Sequence, residues 1–143
     1  MELSDAPRVE FLILADYAEV IAGKLYVVGG AWDRIAVRDT SQPMRFGVAV
    51  GVLVPWNATN QSNVLNVTIE DLDGHQHATL LQSNFITGRP PELKPGATQR
   101  VVMAMNALLA PPPAGEYALV ASIDGEERHR VAFTVIQAPT PPA

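Results

Sequence analysis

Phe46-Gly47-Val48-Ala49-Val50-Gly51-Val52-Leu53-Val54 alternates bulky and small residues with almost no break. Successive side chains of a strand point to opposite faces, so Phe46, Val48, Val50, Val52 and Val54 share one face. Gly47, Ala49 and Gly51 share the other, with Leu53 the exception. A bulky, β-branched face belongs in a core, and a small-residue face lets another element pack closely. The segment reads as a central strand of a β protein.

The residues on either side extend that reading. Val64 to Leu72 alternates, with Leu65, Val67 and Ile69 inward and Asn66, Thr68 and Glu70 outward. Asp73-Gly74 predicts a type I′ hairpin turn, and the return strand runs from about His75 to Leu81. Arg89 to Gly96, with three prolines, is a surface loop. Gln99 to Leu109 is a strand apolar on both faces, stopped by Pro111-Pro112-Pro113. Tyr117 to Ile123 and Arg130 to Ile136 pair through Asp124-Gly125. Upstream, Val9 to Ala15 is a buried strand, and Tyr17 to Ile21 reads as one helical turn or a loop closed by Gly23. Leu25 to Val28 is again a strand, bent at Gly29-Gly30 and resuming through Trp32, with Ile35 and Val37 inward and Arg34 and Arg38 outward. The fold predicted is an all-β, immunoglobulin-like sandwich of about 7–9 mostly antiparallel strands. It forms a single domain over residues 8–137, with a flexible N-terminus (1–7) and a disordered Pro-rich tail (138–143).

Composition narrows the function. The chain has 143 residues, 48% of them hydrophobic, with 10 basic and 15 acidic side chains for a net charge of −5. Its mean hydropathy is +0.10. That is enough apolar content for a real core, and the acidic balance argues against nucleic-acid binding, which needs clustered cations. With no cysteine, disulfides, thiol catalysis and thiolate metal centres are excluded. The acidic start, MELSDAPRVE, lacks the basic region of a secretory signal, and no apolar run approaches the roughly 20 residues of a spanning helix. A cytoplasmic protein away from the membrane is expected.

Leu14-Ala-Asp-Tyr-Ala-Glu-Val20 followed by Gly23-Lys-Leu-Tyr-Val-Val-Gly-Gly-Ala-Trp-Asp33 is distinctive as a connected pair. With Val54-Pro-Trp-Asn-Ala-Thr-Asn60, Asp71-Leu-Asp-Gly74 and Gly115-Glu-Tyr117, it resembles a family of small bacterial single-domain proteins of unknown function, common in actinobacteria. The likeness covers nearly the whole chain and implies a bacterial source and a β-rich domain, with no activity, substrate or catalytic residue. Ala31 departs from it, standing where a third glycine is more usual. Pro113-Ala-Gly-Glu-Tyr117 leading into Ile123-Asp-Gly125 is similar to the closing hairpin of many bacterial immunoglobulin-like modules.

No catalytic constellation is legible. There is no G-x-S-x-G, no glycine-rich loop opening a helix, and Glu126 and Glu127 follow a turn. No catalytic residue, metal or cofactor is expected, and the chain reads as a non-enzymatic binding or structural module. A homodimer through the apolar strand 99–109 is expected if that strand lies at an edge, and an unknown protein partner is the other possibility. One alternative is a small-molecule or carbohydrate binder, with Trp32 and Trp56 stacking on a sugar and Asn57, Asn60 and Gln61 supplying amides. Another is a metal-dependent hydrolase, with His75 and His77 on one face of a strand, Asp71 and Asp73 nearby, and His129 at the mouth of the core.

Overall fold

The computed structural model describes residues 5–139, and nine strands account for most of them. They are β1 (Arg8–Ile21), β2 (Lys24–Gly30), β3 (Arg34–Val37), β4 (Met44–Val54), β5 (Ser62–Asp71), β6 (Gln76–Ile86), β7 (Gln99–Leu109), β8 (Gly115–Ile123) and β9 (Glu126–Gln137). One sheet has the order β2-β1-β4-β7 and the other β3-β9-β8-β5-β6. Every pairing is antiparallel except β3 with β9, which is parallel. The first strand therefore starts in one sheet and the chain crosses at Ala31–Asp33 to join the far edge of the other. Two sheets face each other with the closing hairpin β8–β9 in the larger one, the arrangement of an immunoglobulin-like sandwich.

β4 is the central strand its alternation predicts. Val48, Val50, Val52 and Val54 are wholly buried and meet Leu65, Val67, Ile69, Leu119, Ile123 and Phe133 from the opposite sheet. Each such valine contributes on the order of 1.5–2 kcal/mol by leaving water. On the outer face the small residues are small for a reason. A Cβ on Gly47 would lie 2.7 Å from the Ala18 backbone nitrogen, and one on Gly51 would meet the Phe11 ring. The element that packs closely is β1 itself.

The entry to β8 carries a second fold-defining contact. The Tyr117 hydroxyl donates to the Pro113 carbonyl four residues upstream, the tyrosine corner of immunoglobulin-like sandwiches. Its ring stacks on Phe133 at 5.9 Å, and burial pushes the phenol's pKa up, with the Asp71 charge adding to it.

Two turns differ from expectation. Tyr17 to Ile21 is neither a helical turn nor a loop. β1 runs on through it and returns as β2 through Ala22-Gly23, both at positive φ (49° and 75°) with Ile21 opposite Lys24, a type I′ hairpin. Asp73-Gly74 is not type I′, because only Gly74 has positive φ (82°). There Gly74 N–H bonds to the Asp71 carbonyl, and the Asp71 carboxylate accepts from the Asp73 and His75 amides, giving a three-residue type I turn with a glycine bulge. Asp124-Gly125 does have both residues at positive φ. At the ends, Pro7 is buried, Asp5 accepts from Asn57 Nδ2 at 2.9 Å, and Ala138 N–H bonds to the Val37 carbonyl. The rest of the expected flexible ends, 1–4 and 140–143, lies outside the described residues.

Candidate functional site

The residues expected to bind a sugar do not come together. Trp32, in the crossover between the sheets, packs edge-on against Phe46 (6.3 Å, 81°) at the start of β4. Trp56 follows the end of β4 in a single 3-10 turn, Trp56–Ala58. Eight residues of extended chain separate Phe46 from Val54, about 27 Å, so the indoles sit at opposite ends of the sandwich. The Arg89 guanidinium covers the Trp56 ring at 3.8 Å and donates to the Trp56 carbonyl and to Thr59 Oγ1. The nearby amides serve the turn: Asn57 bonds Asp5, Gln61 Nε2 donates to the Asn57 carbonyl, and Asn60 takes positive φ (59°) with its N–H on the Thr87 carbonyl. Arg89 was missed in the sequence because nothing local ties it to a tryptophan 33 residues away.

The histidines divide as well. His75 lies in the turn rather than on a strand, and His77 is near the start of β6. Both converge on Asp71 Oδ2, His77 Nε2 at 3.0 Å and His75 Nδ1 at 3.6 Å. The His77 hydrogen bond, outweighing partial desolvation and aided by the two turn amides, holds the Asp71 carboxyl below the usual aspartate range. Ligand atoms of Asp71, Asp73 and His75 lie within 4.8 Å of one another, but the Asp71 oxygens are already engaged by the turn. His129 pairs with Ala121, four residues along β8 from the Tyr117 ring on which His77 packs at 5.3 Å. It is about 13 Å away along the strand, so a three-histidine centre is not assembled. Glu126 and Glu127 pair with Arg128 and Arg130.

What the structure does assemble is a surface. Strand 99–109 is β7, an edge of the four-stranded sheet. Register puts Phe11, Gly51 and Val102 in one row of the outer face, Ile13, Ala49 and Ala104 in the next, and Ala15, Gly47 and Asn106 in a third. The outer face of an antiparallel sheet is normally polar. Here the Arg8-Leu53-Arg100 row is charged, but the two rows next to it carry no polar side chain, with Ala49 and Gly51 buried and Phe11, Ile13, Val102 and Ala104 half-buried. Past Ala15, β1 leaves β4 and crosses over Gly47. Asn106 takes the place of a neighbouring strand there, donating to the Ala18 carbonyl (2.8 Å) and accepting from its N–H (3.1 Å).

The hairpin beyond that crossing is apolar and open. Tyr17, Val20, Ile21, Tyr26, Val27 and Val28 are 37–59% exposed, and Leu108 on neighbouring β7 is 56% exposed. Glu19 beside Tyr17 pushes its phenol's pKa up. The rim is charged, with Arg100 forked onto Glu10 at 2.7 and 2.9 Å and holding that carboxyl low. The sequence carries this surface in Tyr17, Val20, Ile21, Tyr26, Val27 and Val28, but only the pairing of β1 with β2 shows that they are exposed.

Residues 10–136 match the model of a family of unknown function, DUF6941, and the chain belongs to that family. A comparison with curated proteins finds no match. Among solved structures, an immunoglobulin-like protein from Pseudomonas aeruginosa is 13% identical, with TM-score 0.45 over 94% of this chain and 99% of that one. Alkylpurine DNA glycosylase AlkC from Pseudomonas fluorescens, bound to DNA containing an abasic site analog, is 13% identical with TM-score 0.42. It is covered over 30% of its length by 87% of this chain, so the chain spans under a third of that enzyme. No helix among the described residues is long and apolar enough to cross a membrane.

Proposed function

We propose that the protein is a non-enzymatic, cytoplasmic β-sandwich module that works by docking another protein surface against the outer face of its four-stranded sheet and the β1–β2 hairpin. The observation that carries this is the concentration of exposed large apolar side chains on that one hairpin (Tyr17, Val20, Ile21, Tyr26, Val27 and Val28). Contiguous apolar patches above a few hundred Å² mark interaction sites on soluble domains. Leu108 on β7 is exposed beside it, and the adjoining outer face is lined by the half-buried Phe11, Ile13, Val102 and Ala104. Edge strand β7 is the second place where another chain could pair. The candidate polar groups for sugar or metal chemistry are engaged in holding turns, which favours docking over either alternative.

Native mass spectrometry on protein purified without a metal column tests the reading. The expected spectrum shows a protein–protein complex that is lost in Val28→Lys while the single-chain mass remains. A stoichiometric metal or organic mass retained by the single chain, unchanged by Val28→Lys, would overturn it.

A further inference from the structure

Residues 17–28, the outer part of the β1–β2 hairpin, form an arm that is tied to the rest of the molecule at very few points. The ladder between β1 and β4 ends at Ala15 opposite Gly47, although β1 runs on to Ile21. β2 pairs only with β1. Past the end of the ladder, two hydrogen bonds join the arm to the remaining described residues, both between the Asn106 side chain and the Ala18 backbone. Glu19 and Lys24 add no ion pair among the described residues. Packing adds little, because Ala18 is the one buried residue of the arm, Leu25 is half-buried and all the others are exposed. A two-stranded hairpin without further packing is marginal in water. The arm closes on a seat at Gly47, where a Cβ would lie 2.7 Å from the Ala18 nitrogen and 2.8 Å from Asn106 Oδ1. Asn106 is itself exposed, so water competes for both of its hydrogen bonds.

We propose that the arm is a strap that opens and closes on the sheet as a unit, with Asn106 as its latch. Its hinge is the base of the hairpin. Asp16 and Gly29 drop out of the β1–β2 register there, and Gly29 has φ 61°, so a rotation is absorbed without breaking the pairing on either side. Opening gives up two hydrogen bonds between neutral groups and the cover over Ala18, and water then meets the freed N–H and C=O. The latch stands on this geometry alone. That it also governs docking rests on the reading above, since the arm carries Tyr17, Val20, Ile21, Tyr26, Val27 and Val28. Only the closed strap holds these side chains beside Leu108 on β7 as one surface. Asn106 is thus a positioning residue for that surface, and a partner that touches both the arm and Leu108 favours the closed form.

Amide hydrogen exchange followed by NMR on the natural chain, Asn106→Leu and Tyr117→Phe tests the strap. Ile21 and Lys24 flank a two-residue turn, so the amides of Tyr17, Glu19, Tyr26 and Val28 are the ones bonded across the arm. In the natural chain they are expected to exchange faster than those of Val50 and Val52 in β4, through opening of the arm alone. Tyr117→Phe weakens the fold elsewhere and should leave the arm amides unchanged. Asn106→Leu loses both latch bonds and should speed them roughly 10–30-fold. Arm amides that exchange no faster than β4, or that accelerate equally in the two variants, overturn the proposal. So do arm amides that keep their natural rates in folded Asn106→Leu. If Asn106→Leu does not fold, the natural chain and Tyr117→Phe decide the question, because an arm that opens alone ignores Tyr117→Phe and one that opens only with the core does not. Native mass spectrometry separates the two readings. A latched arm in a chain that binds no protein keeps the strap and removes the docking reading, while a complex lost in Val28→Lys with arm amides as slow as β4 does the reverse.

Discussion

The two sheets of this sandwich turn different outer faces to their surroundings. On the five-stranded sheet, Asn66, Thr68 and Glu70 of β5 line up with Gln82, Thr79 and Gln76 of β6 and with Ser122, Val120 and Ala118 of β8. Arg130 ties that face together, reaching Glu127 at 2.7 Å and Glu70 at 3.3 Å. On the four-stranded sheet the equivalent rows are Phe11-Gly51-Val102 and Ile13-Ala49-Ala104, continued by an open apolar hairpin. Both faces belong to one core and one chain, so folding alone does not require the difference. A polar outer face keeps a sheet hydrated, and an apolar one is useful when something covers it.

The largest effect is expected where β1 crosses β4. Gly47→Ala puts a methyl against the backbone of Tyr17 and Ala18, which cannot move aside as a side chain can. It should cost about 2 kcal/mol, in the range of overpacked sites, lowering Tm by roughly 4–8 °C. Thr68→Ala on the polar face should stay within about 0.5 kcal/mol. Differential scanning calorimetry of the pair checks this, and equal losses would break the distinction between the faces.

Tyr117→Phe comes next. It leaves the ring stacked on Phe133 and removes only the bond to the Pro113 carbonyl, about 1 kcal/mol in chemical denaturation. The loss belongs to the five-stranded sheet, so association through the other face should be unchanged.

The turn between β5 and β6 should also respond to acid. Asp71, at the β5–β6 turn, has its pKa lowered in the folded state, chiefly by His77. Its contribution is therefore present above the ordinary aspartate pKa and lost as pH falls through the lowered one. Asp71→Asn should be less stable than the natural chain near neutral pH, and the gap should close below about pH 4. Melting followed by circular dichroism from neutral to acid pH checks the sign.

The smallest effect sharpens the picture of the crossover. Ala31 sits at φ 67°, a left-handed position that costs an alanine about 1 kcal/mol. Ala31→Gly should stabilise the chain by about 0.5 kcal/mol once the added freedom of the unfolded state is counted. Urea midpoints resolve that difference.

How much of this the sequence reveals depends on whether a local pattern settles the structure. β4 was legible because alternation over nine residues has one physical reading, and β5 for the same reason. The β1–β2 hairpin was not, since Ala22-Gly23 lacks the Asn or Asp that advertises a type I′ turn. What holds β1 in place there is Asn106, 88 residues from Ala18. Asp73-Gly74 and Asp124-Gly125 are the same dipeptide in different turns, because only the first has the Asp71 carboxylate waiting to accept its amides. The two tryptophans looked paired because both lie near strand ends, and chain order does not say which end. Sequence spacing likewise brought His129 no nearer to His77. The apolar surface was present as composition, but exposure is a property of pairing.

Sedimentation velocity of Val28→Lys beside Thr68→Lys tests the account most directly. Each puts one positive charge on one outer region without touching the core. The account predicts that the natural chain and Thr68→Lys sediment as the same associated species while Val28→Lys sediments as a single folded chain. Identical behaviour of the two variants would contradict it.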